Sequence, residues 1–341
     1  MTSEVNDVLD CLRPVLADHL EPSELGALVV QGGVRTRRRS SLYFVGIAGR
    51  TPTYRWVVKQ PNSTSQQHDL PSPMSSAGQY AALQRLHEHF RLVSTGVSTP
   101  DPVAQLPTID AYVMEFVAGP TLTELIGPRA LLRPNRLVEG IRSAGLVLQE
   151  IHSLEPAETV SIDVDSLADE SYSRARKVLM DHGIPTRESW FPPRVPSPGG
   201  ARAEGARVVQ HGDFAPENIL LSPSGVVCLE PELAEKDWAE RDVSRFVLML
   251  FDAPFFVVGV DVPAVQRLRR RAAATFLDAY YGELPRPDTL RLILVESLAA
   301  RWATRSLDLV ERAPRLESMR SALLRRYFTG LMDELRSPDW L

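Results

Sequence analysis

One stretch narrows what this chain can be more than any other. Residues 208–222 read VVQHGDFAPENILLS. Two β-rich runs, RVVQ and NILLS, flank a loop in which Asp213 stands five residues before Asn218. Gly-Asp and Pro-Glu-Asn form turns in any loop, so the spacing alone is compatible with an ordinary surface turn. The flanking runs, with His211 and Gly212 ahead of the acid, argue for more. A short loop between two strands can aim an acid and an amide at one place. The chain around this loop has 341 residues, too many for one compact core, so two lobes or domains are expected.

Residues 1–25 read as one or two short helices, with Pro22 and Ser23 marking a helix start. Two β-rich runs then flank Gly32-Gly33, read as a turn, and TYRWVVKQ follows as a third strand. Residues 62–76 are polar and Pro-broken, hence a loop. AGQYAALQRLHEHF carries Tyr80, Leu83 and Leu86 at helical spacing, with His87 or Phe90 beyond. TPDPVAQL and AYVMEFVAG read as two more strands, and Gly119-Pro120 as a linker. Helices dominate afterwards. Residues 184–205 are Pro- and Gly-rich and read as a loop or lid, and three helices near 262–281, 288–311 and 315–336 close the chain. The expected fold class is α+β, with a first lobe at 1–117 and a second, mostly helical, at 118–341.

Composition excludes several classes of partner. With a net charge of −5 there is no whole-protein electrostatic case for nucleic acid or an anionic membrane. The Arg-rich RTRRRSS is a local exception. The most apolar run, FVLMLFDAPFFVVGV, is short for a membrane span and is broken by Asp252 and Pro254, so it reads as buried core. The two cysteines form no disulfide framework or zinc spacing, and the N-terminus has no signal-peptide apolar core. A cytoplasmic protein is expected. The sequence does not speak to its oligomeric state.

Phosphoryl transfer calls for the pair that the loop supplies. A carboxylate takes the proton of the attacking hydroxyl, and a neutral amide oxygen holds Mg²⁺ beside the nucleotide phosphates. The protein-kinase catalytic loop has this Asp-to-Asn spacing. QHGDFAPENIL, with FVAGPTL, LQEIHSLEP and RDVSRF in the same order, resembles the aminoglycoside phosphotransferase and choline-kinase-like family. The likeness runs from about residue 26 to 311. It implies a bilobal protein-kinase-like fold: a small antiparallel β lobe that binds nucleotide and a larger helical lobe with the catalytic loop.

By that resemblance Asp213 is the catalytic base or hydroxyl orienter. Lys59 contacts the nucleotide phosphates, Gly32 and Gly33 belong to the loop over them, and Met114–Val117 form the hinge, with Glu115 and Val117 at adenine. Asn218, Glu230 and Glu232 are the metal positions, Glu232 as a second contact or a structural anchor. His211 and Asp242 shape the loop. The implied cofactors are ATP or GTP and Mg²⁺, with Mn²⁺ as the alternative, and the implied partner is a small hydroxylated substrate.

Two positions depart from the family. Gln79 stands where a helix glutamate usually pairs with the strand lysine; it can hydrogen-bond Lys59 but brings no charge. LEPE puts Glu230, one methylene longer, where an aspartate is expected, ahead of a stiffening Pro231. Three functions follow from the sequence: an ATP-dependent O-phosphotransferase, a kinase-like nucleotide- or metabolite-binding protein, and the same scaffold turned to other chemistry on a natural product.

Overall fold

The computed structural model describes residues 3–36, 40–61, 74–93, 96–187, 190, 202–284, 286–312 and 317–335. The centre of the Arg-rich tip (37–39), residues 62–73 of the polar loop and most of the 184–201 segment lie outside the described residues.

The chain begins with helices α1 (Ser3–Leu16) and α2 (Pro22–Gly26) and then enters strands β1 (Leu28–Thr36), β2 (Ser40–Ile47) and β3 (Trp56–Pro61). Helix α3 (Ser76–Val93), strands β4 (Val97–Ser98), β5 (Pro102–Leu106) and β6 (Ala111–Glu115) follow. Five of these strands form an antiparallel sheet in the order β1-β2-β3-β6-β5. Successive side chains of a strand point to opposite faces, and each face of this sheet has its own cover. Tyr43, Val45, Trp56, Val58 and Val113 pack on α1, whose Val5, Val8, Leu9, Leu12 and Leu16 are all buried at helical spacing. Leu42, Val57, Tyr112 and Met114 pack on the other face, with Leu83 of α3.

One detail departs from the sequence reading. Gly32-Gly33 is not the hairpin turn. Both glycines lie inside β1 with φ of 73° and 76°, where the register with β2 shifts between Val30 and Val34. Left-handed backbone is open to glycine without a Cβ penalty, so the pair makes a bulge, and regular pairing resumes at Val34 opposite Tyr43.

Beyond Pro120 come α4 (Leu122–Leu125), α5 (Pro128–Leu132), α6 (Pro134–His152), β7 (Glu158–Asp163), α7 (Val164–Asp181) and β8 (Arg202–Gln210). A single helical turn at Pro216–Asn218 leads into β9 (Ile219–Ser222), β10 (Gly225–Cys228) and β11 (Ala234–Trp238). Helices α8 (Ala239–Phe251), α9 (Pro254–Val258), α10 (Pro263–Tyr281), α11 (Asp288–Arg312) and α12 (Glu317–Leu335) complete the chain.

Two compact units result. The first is Met1–Gly119 with Leu220–Glu232, and the second is Pro120–Ile219 with Leu233–Leu341. Within the first unit β10 pairs parallel with β4, Val226 opposite Val97. Within the second, β7, β8 and β11 make a three-stranded antiparallel sheet. β7 escaped the sequence reading, and residues 202–205 belong to β8, not to the expected loop. Three helices, α10, α11 and α12, close the chain as expected, and before them Asp252–Pro254 divides the apolar run into α8 and α9. That run is mostly buried, but Val258 at its end is 72% exposed.

The core of the second unit sits beneath the catalytic-loop segment. Phe214, Phe246 and Phe276 are fully buried, with 4.1 Å between the stacked rings of Phe246 and Phe276 and 5.4 Å between Phe214 and Phe246. α10 lies close along α6. Their approach requires Gly145, where a Cβ would come within 2.7 Å of both the Ala279 Cβ and the Phe276 carbonyl oxygen.

Candidate active site

In the first unit Lys59, expected to meet the nucleotide phosphates, is paired with Glu230. It lies on β3 with the parity of Val57, so its side chain belongs to the α3-facing side of the sheet. It is 5% exposed. Its Nζ is 3.4 Å from Oε2 of Glu230. The charge missing at Gln79 is therefore supplied from a different part of the chain. Gln79 itself does not take the expected place against Lys59. Its Nε2 donates to the Met74 carbonyl at 3.1 Å, and its side-chain acceptor, Oε1, is buried with no hydrogen-bond partner among the described residues. A side chain at the start of a helix has the backbone of the preceding residues within reach, and here that local bond is made.

Glu230 holds its position on left-handed backbone, φ 56°, immediately before Pro231. That region is sparsely populated for a residue with a Cβ, and a following proline narrows the choice further. Such conformations cost about 1–3 kcal/mol and persist where the surroundings over-determine them. Glu232, two residues on, is half-buried. At the expected hinge, the N–H of Glu115 donates to the Asp101 carbonyl and that of Phe116 to the Arg55 carbonyl, both at 2.9 Å.

In the second unit hydrogen bonds join the residues of the expected catalytic loop. Asp242, from the first turn of α8, accepts the His211 N–H at 2.6 Å and the Gly212 N–H at 3.2 Å. Two consecutive amides aimed at one carboxylate set the direction in which the loop leaves β8. Gly212 has φ 85°, which a glycine adopts freely. Asp242 is buried, and burial alone would raise its carboxyl. The hydrogen bond and charge of His152, with His211 nearby, outweigh that and hold it below the ordinary carboxylate range. His152 bridges outward, Nε2 at 3.2 Å from Asp242 and Nδ1 at 2.6 Å from the Tyr280 hydroxyl.

The loop then presents Asp213. Its N–H donates to Nδ1 of His211 at 3.2 Å, so His211 acts on the backbone. Phe214 drops into the aromatic core as the anchor of the loop. Asn218 is buried, and its Nδ2 donates to the Asp213 carbonyl oxygen at 2.8 Å and lies 3.4 Å from Oδ2 of the Asp213 carboxylate. With the amide nitrogen so placed, its carbonyl oxygen is the atom that can be offered to a cation. The other Asp213 oxygen, Oδ1, accepts from Nη2 of Arg245. Arg245 was missed by the sequence reading. Its signal was present in RDVSRF: three residues after Asp242 on a helix places it on the same face.

An amide oxygen such as that of Asn218 and carboxylates such as those of Glu230 and Glu232 are each ligand types that Mg²⁺ and Mn²⁺ accept. Among the described residues no three His, Cys, Asp or Glu side chains cluster as an all-protein metal cage. One or two carboxylates plus phosphate is the arrangement through which Mg²⁺ binds with a nucleotide. No helix among the described residues is long and apolar enough to cross a membrane.

Comparison with known proteins bears on the family and the fold. The profile of the phosphotransferase enzyme family matches residues 35–293. No curated protein matches the chain. Among solved structures, a glucosamine kinase superposes with a TM-score of 0.55 at 17% identity, covering 95% of this chain and 83% of that one. The same kind of enzyme solved with glucosamine, ADP and inorganic phosphate gives 0.53 at 16% identity, covering 94% and 82%. A choline kinase from Cryptosporidium parvum Iowa II gives 0.52 at 12% identity, covering 98% of each chain. At these identities the likeness establishes the α+β fold.

Proposed function

The chain belongs to the phosphotransferase enzyme family, and from that premise we propose that it transfers the terminal phosphoryl group of ATP to a hydroxyl of a small molecule. Asp213 orients that hydroxyl and accepts its proton. Asn218 and Glu230 hold the metal, with Glu232 beside them, and Lys59 aligns the phosphates. The metal, when bound, neutralises charge that develops on the phosphoryl oxygens. The bulge at Gly32-Gly33 lets backbone approach the phosphates, and the backbone from Glu115 to Val117 receives the base.

The observation that carries this reading is the state of Asp213. Its backbone is fixed by His211, one carboxylate oxygen is met by Arg245, and the other faces the Asn218 amide. A solvated turn needs no such set. Prearranged donors and acceptors of this kind are what phosphoryl transfer, a reaction of positioning and charge, requires. Support for this acceptor class comes from the structural relatives, a glucosamine kinase solved with glucosamine and a choline kinase.

The test is incubation with ATP and Mg²⁺ or Mn²⁺ over a panel of aminoglycosides, sugars and amino alcohols, with product read by mass spectrometry. Metal-dependent phosphorylated product is expected. Asp213→Asn should lower the rate about 10²–10⁴-fold, the usual contribution of a positioned base. The Lys59–Glu230 pair, which joins the phosphate lysine to a proposed metal ligand, favours a second reading, a nucleotide-binding protein without turnover. ADP binding with no product on any acceptor would select it.

A further inference from the structure

The α3 side of the sheet raises a question about Lys59. A lysine that meets phosphates must be held extended and charged, and the helix residue that would do so, Gln79, is bonded to Met74 instead. Glu230 reaches Lys59 only from strained backbone. It is also the residue assigned to the metal. A group that holds the lysine while Glu230 serves a cation has to come from elsewhere in the same unit.

β6 supplies one. Lys59 on β3 stands directly opposite Tyr112 on β6, and on its other side opposite Leu42 on β2. Residues directly opposite in an antiparallel pair point to the same face, with Cβ atoms about 4.5–5.5 Å apart. Leu42 and Tyr112 share the apolar cluster under α3, so the stem of Lys59 lies between an aliphatic and an aromatic side chain. Tyr112 is 2% exposed, and the ring of Tyr80 packs beside it at 6.1 Å. It has no freedom to swing to solvent. We propose that Tyr112 is a positioning residue for Lys59, its hydroxyl receiving the ammonium from across the sheet and keeping it aimed at the phosphates when Glu230 turns to the metal. This inference rests on the phosphotransferase reading above.

The chemistry favours a phenol here. Burial pushes the Tyr112 hydroxyl above its ordinary range, the hydrogen bond and charge of Lys59 lowering it only in part, so it is neutral throughout the physiological range. A neutral oxygen directs the ammonium without cancelling its charge, whereas a carboxylate at the same distance would compete with phosphate for it. The positional signal in sequence was absent, because Tyr112 reads as one more apolar residue of a buried strand.

Binding of ADP and of adenosine, each with Mg²⁺ present, separates this role from packing. Tyr112→Phe keeps the ring and removes the oxygen. ADP affinity should fall about 3- to 10-fold, the range of one hydrogen bond to a charged group, while adenosine affinity and Tm stay unchanged. In a Lys59→Met background the second change should lower ADP affinity no further, since the hydroxyl acts through the lysine. Equal losses for ADP and adenosine, an additive loss in the double variant, or no change in ADP affinity would each overturn the proposal. Wild-type protein that binds neither ligand would instead bring down the nucleotide reading on which it stands.

Discussion

Asp242 and Glu240 occupy one turn of α8 and are buried to a similar degree, yet burial is resolved in opposite ways. Asp242 is met by His152 and by the N–H groups of His211 and Gly212, and its carboxyl is held below the ordinary range. A depressed carboxyl contributes stability above its unfolded value, about 3.9, and loses that contribution as pH falls through the folded value. Asp242→Asn should therefore lower Tm at neutral pH and flatten its fall on acidification; breaking such a buried set costs about 3–5 kcal/mol. Thermal melts between pH 3 and 7 read both effects. Glu240 is the reverse case. Burial raises its carboxyl, offset only in part by hydrogen bonds that include its own backbone N–H, and Oε2 has no hydrogen-bond partner among the described residues. A raised carboxyl contributes most below its unfolded value and loses that contribution as pH rises through the folded one. Glu240→Gln should raise Tm at pH 7 by a few degrees and leave it nearly unchanged at pH 4, a difference that calorimetry at the two pH values resolves.

Among the elements, α6 and α10 depend on close approach. Gly145→Ala places a methyl 2.7 Å from Ala279 Cβ and from the Phe276 carbonyl oxygen, both on α10. Neither neighbour is the end of a flexible chain. Separation of the helices should cost about 1–3 kcal/mol, read as a lower urea midpoint with the slope unchanged. The same movement would disturb Phe276, which stacks under Phe246 and the loop anchor Phe214. A second consequence is expected in activity, larger for kcat than for KM, because the loop that presents Asp213 rests on this core. α3 is an element of which the sequence conveyed the shape and not the role. Leu83, Leu86 and Phe90 of its stripe are buried as the spacing predicts, and Tyr80 at its start is half-buried. Its Gln79 looked like a weakened partner for Lys59, but its amide turns to Met74.

At the scale of the whole molecule, the chain passes between its two units three times, and Leu220–Glu232 returns to the first. That return brings Glu230 to Lys59 within one unit. The sequence by itself determined what depends on near neighbours along the chain. The Asp213–Asn218 spacing, the turn-forming glycines and prolines, the periodic helices and the alternating strands all express local backbone geometry. From these the α+β class was legible, and the quoted motifs carried the resemblance to a phosphotransferase family that the family comparison bears out. The tertiary structure alone decided which distant groups share a site. Strand register placed Tyr112 opposite Lys59, a returning segment placed Glu230 beside it, and the packing of α8 brought Arg245 to Asp213. Cross-strand register and long-range ion pairs are set by the joint burial of many side chains, and no short window of sequence carries that information.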